Sequence, residues 1–218
     1  MFKNIIALLF LVSSVSCNGQ SGLFMRTSYW GGQLNISWLY FTNDGRLVYD
    51  PKFGVNPIQI DKEIKENGMN VATFRINGNK MNVKWGDGRT QNVNVEFENG
   101  VLSAFDGGLC SKSKPFAFKY FADKTYSGNA GVGNVSRQET LFLGKDGKFR
   151  SDRLGAVSGD GNFTGVATSS ANDEGTYSIV GNTIIFKYKS GTERRAITQP
   201  YDMGKEEIIL NNQLYKKQ

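Results

Sequence analysis

Without histidine, the chemistry open to these 218 residues narrows at once. Ser-His-Asp and Cys-His devices need an imidazole base, and the usual zinc sites need imidazoles or several thiolates. Only two cysteines are present, Cys17 and Cys110. Paired carboxylates can hydrolyse glycosides without histidine. Glu96 and Glu98 stand two apart, but they alternate with Val93, Val95 and Phe97 and so read as the solvent face of a strand. Gly159-Asp160-Gly161-Asn162 offers oxygen ligands, yet a calcium loop needs several carboxylates at set spacing and Asp160 stands alone there. The spaced glycines from Gly128 to Gly133 precede a strand pattern, whereas a phosphate loop needs a following helix. The residue types therefore predict no catalytic constellation, no metal site and no cofactor.

Cys17 has a different context. Lys3 is followed by an apolar run, Ile5 to Val12, and then by Ser13, Ser14, Val15 and Ser16. This is the plan of a secretory signal peptide over residues 1–16. The run is too short to span a bilayer, which takes roughly 20 residues. Ser14-Val15-Ser16-Cys17 resembles a lipobox of the looser kind found in Bacteroidota, with Ser14 where most lipoboxes carry Leu. That resemblance implies cleavage after Ser16 and a diacylglycerol on Cys17, with residues 17–21 as a tether. Ser14 and Ser16 also suit the ordinary signal peptidase, which is the alternative. Surface-exported relatives of this type carry acidic residues after the cysteine. Here Asn18, Gly19, Gln20, Ser21 and Gly22 follow, so a periplasm-facing envelope anchor is expected.

With residues 1–16 removed, residues 17–110 carry 9 basic and 9 acidic side chains, and residues 111–218 carry 16 and 11. The surplus on the second half suits a soluble surface or an anionic partner such as lipid headgroups, and no nucleic acid is expected in an exported compartment. If Cys17 is acylated, Cys110 has no intrachain partner and reads as a buried small hydrophobe.

The elements that would position any site are written twice. Residues 39–47 (LYFTNDGRL) and 141–149 (LFLGKDGKF) align at an offset of 102. Residues 73–85 (TFRINGNKMNVKW) and 176–188 (TYSIVGNTIIFKY) align at 103, and Leu109–Lys112 falls on Leu214–Lys217 at 105. Nearer the starts, Tyr29 matches Tyr126 at 97. Phe74, Ile76, Met81, Val83 and Trp85 alternate with polar neighbours, as do Tyr177, Ile179, Ile184, Phe186 and Tyr188. Period-two alternation marks strands with one buried face. Asn77-Gly78, Gly181-Asn182, Asp44-Gly45, Asp146-Gly147 and Asn99-Gly100 supply tight hairpin turns. Each copy therefore reads as a meander of about seven short strands, over 22–112 and 117–218, joined by a linker at 113–116. Two long connections, 51–70 and 153–173, occupy equivalent places. The first is expected to hold one short helix near 57–67, capped by Asn56-Pro57 with Ile60 and Ile64 on its inner face. The second is Gly/Ser/Thr-rich and is a candidate binding loop.

This order of strand, Asp-Gly turn, long loop, Thr-Tyr-x-Ile-x-Gly-Asn hairpin and terminal Leu-Tyr-Lys resembles small lipocalin-like β-domains of bacterial lipoproteins. Asp146-Gly147, Gly175 to Tyr188 and Leu214 to Lys216 carry the resemblance. It implies an all-β, duplicated, barrel-like fold, and its motifs are turn and packing residues that fix no ligand. The aromatic set, including Trp30, Trp38, Phe74, Trp85, Tyr126, Phe142, Tyr177 and Phe186, reads as filling for two cores. The expected function is a non-catalytic, lipid-anchored envelope module that binds a small apolar or glycan ligand. The alternative is a protein-interaction component of an envelope assembly, marked by an exposed apolar patch or a bare strand edge. A histidine-independent hydrolase ranks below both.

Overall fold

The computed structural model describes residues 20–116, 121–132, 135–158, 164–167, 173–202 and 206–218. Ser16, Cys17 and the rest of segment 1–19 lie outside the described residues, as does Asp160.

Alternation and tight turns produce two closed eight-stranded antiparallel barrels. The first contains β1 (Gly22–Trp30), β2 (Gln33–Phe41), β3 (Arg46–Tyr49), β4 (Val71–Asn77), β5 (Lys80–Trp85), β6 (Thr90–Glu98), β7 (Val101–Phe105) and β8 (Gly108–Lys112). Pairing of β1 with β8 closes the ring, with Phe24 opposite Lys112. An up-and-down meander that closes with every neighbour antiparallel needs an even number of strands, so the eighth strand replaces the expected seven.

The second barrel uses β9 (Lys124–Val132), β10 (Val135–Leu143), β11 (Lys148–Ser158), β13 (Asp173–Val180), β14 (Thr183–Tyr188), β15 (Glu193–Asp202), β16 (Glu207–Leu210) and β17 (Gln213–Lys217). Its ring closes through β9–β17 and β10–β11. The short β12 (Thr164–Ala167) lies outside the ring on the last turns of β11.

Register corrects one alignment. Phe24 pairs with Leu39 and Tyr126 pairs with Leu141, so Phe24 and not Tyr29 is the counterpart of Tyr126. Both Phe24 and Tyr126 are fully buried, while Tyr29 is 73 % exposed.

The two long connections diverge. In the first copy α1 (Ile60–Asn67) runs into a 3-10 turn at Gly68–Asn70. Gln59 precedes the helix, not Asn56, and the buried helix residue is Glu63 while Ile64 is exposed. Glu63 accepts the Phe53 N–H at 2.9 Å and the Asn67 side-chain amide at 3.0 Å. That carboxylate anchors the chain that leads into the helix. In the second copy, β-formers and glycines extend β11 and add β12.

Each barrel has its own core. Phe24, Phe41, Phe74 and Met81 fill the first, and Tyr126, Phe149, Ile184 and Phe186 fill the second. A third core lies between them. Leu23, Ile36 and Trp38 on the outer face of β1–β2, with Val55, pack against Ile197 and Ile209 of β15–β16. The Trp38 Nε1–H donates to the Asn211 carbonyl. Thr183 Oγ1 accepts the Val55 and Asn56 N–H groups at 2.8 and 2.9 Å, and Asn56 Oδ1 accepts the Asn182 N–H at 2.9 Å. Gly54 has φ +72°, and a Cβ there would lie 2.4 Å from Thr183, so only glycine brings the loop this close.

Candidate binding site in the second barrel

Strand parity sends alternate residues into each barrel, and near one end the two copies fill that space differently. In the first barrel Arg26 and Ser37 face each other across β1–β2. Arg26 Nε donates to the Phe105 carbonyl at 2.8 Å and an Nη to the Asp106 carbonyl at 2.9 Å, so the guanidinium lies across the barrel end. Tyr49 and Trp85 meet edge to face there, with ring centroids 6.3 Å apart. What is left is an open depression of about 230 Å³.

The matched residues in the second barrel are Gly128 for Arg26, Glu139 for Ser37 and Ser151 for Tyr49, as the pairings of Gly128 with Glu139 and of Phe149 with Gly175 require. A Cβ on Gly128 would come within 2.8 Å of the Gln213 amide nitrogen and the Tyr215 ring. Gln213 and Tyr215 thus take the space beside Gly128, and Ser151, where the first copy has Tyr49, borders a cavity of about 290 Å³. Its floor is Leu141, Phe149, Phe186, Ala196 and Leu210. Tyr188 joins the floor aromatics, its ring 5.1 Å from Phe149, while Phe186 lies 4.8 Å from Phe149.

The rim is polar. Glu139 Oε1 accepts the Ser151 hydroxyl at 2.9 Å and Oε2 accepts the Tyr215 hydroxyl at 2.8 Å. Two hydroxyl donors thus fix the carboxylate against the wall. Arg194 stands exposed at the same rim, and Asn211, Asn212 and Gln213 complete it from the β16–β17 turn. The Gln213 Nε2 is buried and has no hydrogen-bond partner among the described residues.

The first barrel braces this rim. Trp38 holds the Asn211 carbonyl, and the Asn212 side chain donates to Asp50. Burial pushes the Asp50 carboxyl above its ordinary range, opposed by hydrogen bonds from the Trp38 N–H and Asn212 and by the nearby Arg26 charge. A larger groove of about 580 Å³ runs beside α1, between Arg46, Ile64, Lys84 and Trp85. It lies open along the outside of the first barrel.

The residues singled out from sequence fall as follows. Glu96 and Glu98 are exposed on β6, with Val93 and Val95 buried between them. Gly128 to Val132 lie on β9 and precede no helix. Among the described residues no group of three or more His, Cys, Asp or Glu could hold a metal ion. Cys110 is partly buried against the first core, its Sγ 3.9 Å from the Gly108 carbonyl. Most of the aromatics do fill cores, but Trp30 is 84 % exposed at the β1–β2 turn and Phe142 faces outward. Sequence reasoning missed the whole rim. Its one available signal was the exchange of large side chains for Gly128 and Ser151 between copies, visible only in the correct register.

Comparison with family models, curated proteins and solved structures found no match. The geometry of the chain itself therefore carries the functional reading.

Proposed function

We propose that this is an exported, lipid-anchored envelope protein, held through Cys17 and facing the periplasm, whose second barrel binds one small molecule without chemical turnover. The observation that supports it is the same barrel end built twice, narrowed by Tyr49 to an open depression in one copy and bordered by Ser151 around an aromatic-floored cavity in the other. The cavity is near the lower bound of the roughly 300–1,000 Å³ typical of small-molecule pockets. It has the apolar floor and few fixed polar groups that such pockets share. Barrel one then acts as scaffold, pinning the β16–β17 turn that forms part of the rim.

Native mass spectrometry of the protein extracted from its own membranes tests both parts. Diacylglycerol on Cys17 and a non-covalent adduct released on unfolding are expected. Ser151→Tyr, which restores the residue of the first copy, should lose the adduct and keep the lipid. A bare wild-type mass would count against the ligand, and an unmodified Cys17 against the anchor.

One observation favours a protein-interaction role as the second reading. Tyr29 and Leu109, 73 % and 72 % exposed, stand on neighbouring strands β1 and β8, and the exposed Trp30 follows Tyr29 at the β1–β2 turn. If Trp30→Ser and Leu109→Ser leave an in-cell crosslinking pattern unchanged, that reading fails.

A further inference from the structure

The rim of the second barrel says what kind of molecule it takes, granted that the barrel binds one. Eight of its thirteen lining side chains carry a polar N or O atom, and only the floor is apolar. A purely apolar ligand would cover the charged Glu139 and Arg194 with no new hydrogen bond in return. Charge narrows the class further. An anion that fits beside Arg194 meets Glu139, and a cation that fits beside Glu139 meets Arg194. A neutral molecule avoids both conflicts. Glu139 only accepts, Arg194 only donates, and Gln213 and Asn212 can do either. Hydroxyl groups, which donate and accept at once, satisfy all of them.

The floor sets the other half of the match. Phe149, Phe186 and Tyr188 pack edge to face, with ring centroids about 5 Å apart, and give the floor an aromatic lining that an apolar ring face can meet. A cavity of about 290 Å³ has room for one sugar ring. A sugar ring has this pairing, an apolar C–H face bordered by hydroxyls.

We infer that the second barrel binds a single neutral sugar ring, with its C–H face on Phe149, Phe186 and Tyr188 and its hydroxyls on Glu139, Arg194 and Gln213. The Gln213 amide nitrogen, buried beside Gly128 and without a partner among the described residues, is a donor that a turn of its side chain would present to a hydroxyl. The ring belongs to a free sugar or to the terminal residue of a glycan, since the floor closes the cavity below.

Saturation-transfer NMR on residues 18–218 tests this. The probes are neutral hexoses, pentoses and N-acetylhexosamines, their β-linked disaccharides, and, as an anion and a cation with apolar bodies, octanoate and benzylamine. The expected result is saturation of at least one sugar, confined to one ring. Gln213→Leu and Arg194→Ala should each weaken it roughly tenfold or more, the scale of one lost ligand hydrogen bond. Gln91→Ala, at the matching place in the first barrel, should leave it unchanged. Disaccharide binding through its terminal ring would indicate a glycan end, and binding of monosaccharides only would indicate a free sugar. If no sugar binds at roughly 10 mM while octanoate or benzylamine does and Ser151→Tyr abolishes it, the sugar assignment falls and the binding function stands. Sugar binding that survives Ser151→Tyr, Gln213→Leu and Arg194→Ala would overturn the assignment to this barrel. Silence from every probe would overturn both.

Discussion

A cysteine reacts as its thiolate, and the surroundings of Cys110 suppress that form. Burial against the first core pushes its thiol up to about 12, with the Arg26 charge and a backbone hydrogen bond at Phe105 pulling the other way. Below that pH the thiolate is a minority that grows about tenfold per pH unit, whereas a thiol near the usual value of about 8.5 saturates by roughly pH 10. Iodoacetamide labelling of the folded protein should therefore be slow at pH 8 and still climbing at pH 10. A rate that levels off near pH 9 would show an exposed, ordinary thiol. The matched position in the second barrel carries Tyr215, whose hydroxyl instead helps to hold Glu139. One register position thus serves packing in one copy and the proposed site in the other.

At the scale of elements, the two long connections show how local composition redirects one topology. Residues 51–70 bring charged and apolar residues at helical spacing, and they form α1 beneath a loop docked on the second barrel. Residues 153–173 lack that spacing, and their described parts continue as strand. In α1 the residue that matters is polar. Glu63→Ala would strand the Phe53 N–H and leave the Asn67 amide only its longer bond to the Asp50 carbonyl, at a cost of about 1–3 kcal/mol for a group buried without a partner. The urea midpoint should fall accordingly, and Glu63→Gln, which keeps an acceptor for Phe53, should recover most of the loss. An unchanged midpoint for the alanine variant would mean that this anchor does not hold the loop.

The whole molecule is two barrels made into one body by their outer faces. Trp38 is fully buried at the centre of the third core, and its indole N–H ties β2 to the β16–β17 turn. Removing so large a buried side chain costs about 3–5 kcal/mol. Because that cost falls on the joint, Trp38→Ala should also separate the unfolding of the two barrels. Wild-type protein should melt in one transition by tryptophan fluorescence, which comes entirely from the first barrel, and by second-barrel amide NMR signals alike, and the variant in two. Coincident transitions in the variant would show that the barrels are coupled by something other than this core.

Much of this architecture is local and was open to reading from the chain. Alternation in residues 73–85 and 176–188 marks strands because the side-chain period of a strand is two, whatever surrounds it. Turn residues such as Asn99-Gly100, both at positive φ, mark hairpins for an equally local reason. Duplication could be seen because blocks kept their order. The run Trp38-Leu39-Tyr40-Phe41 even signals a strand covered on both faces, though not by what. The rest depended on tertiary structure. Pairing of β1 with β2 decided that Phe24, not Tyr29, matches Tyr126, because register is set by partners and not by residue likeness. Docking decided that Leu23, Trp38, Ile197 and Ile209 make a core outside both barrels. The cavity is the clearest case. It exists because Ser151 stands where the first copy has Tyr49, while Glu139, Arg194 and Gln213 converge from other strands. Such a space has no signature in any one segment, since only the closed barrel brings its walls together.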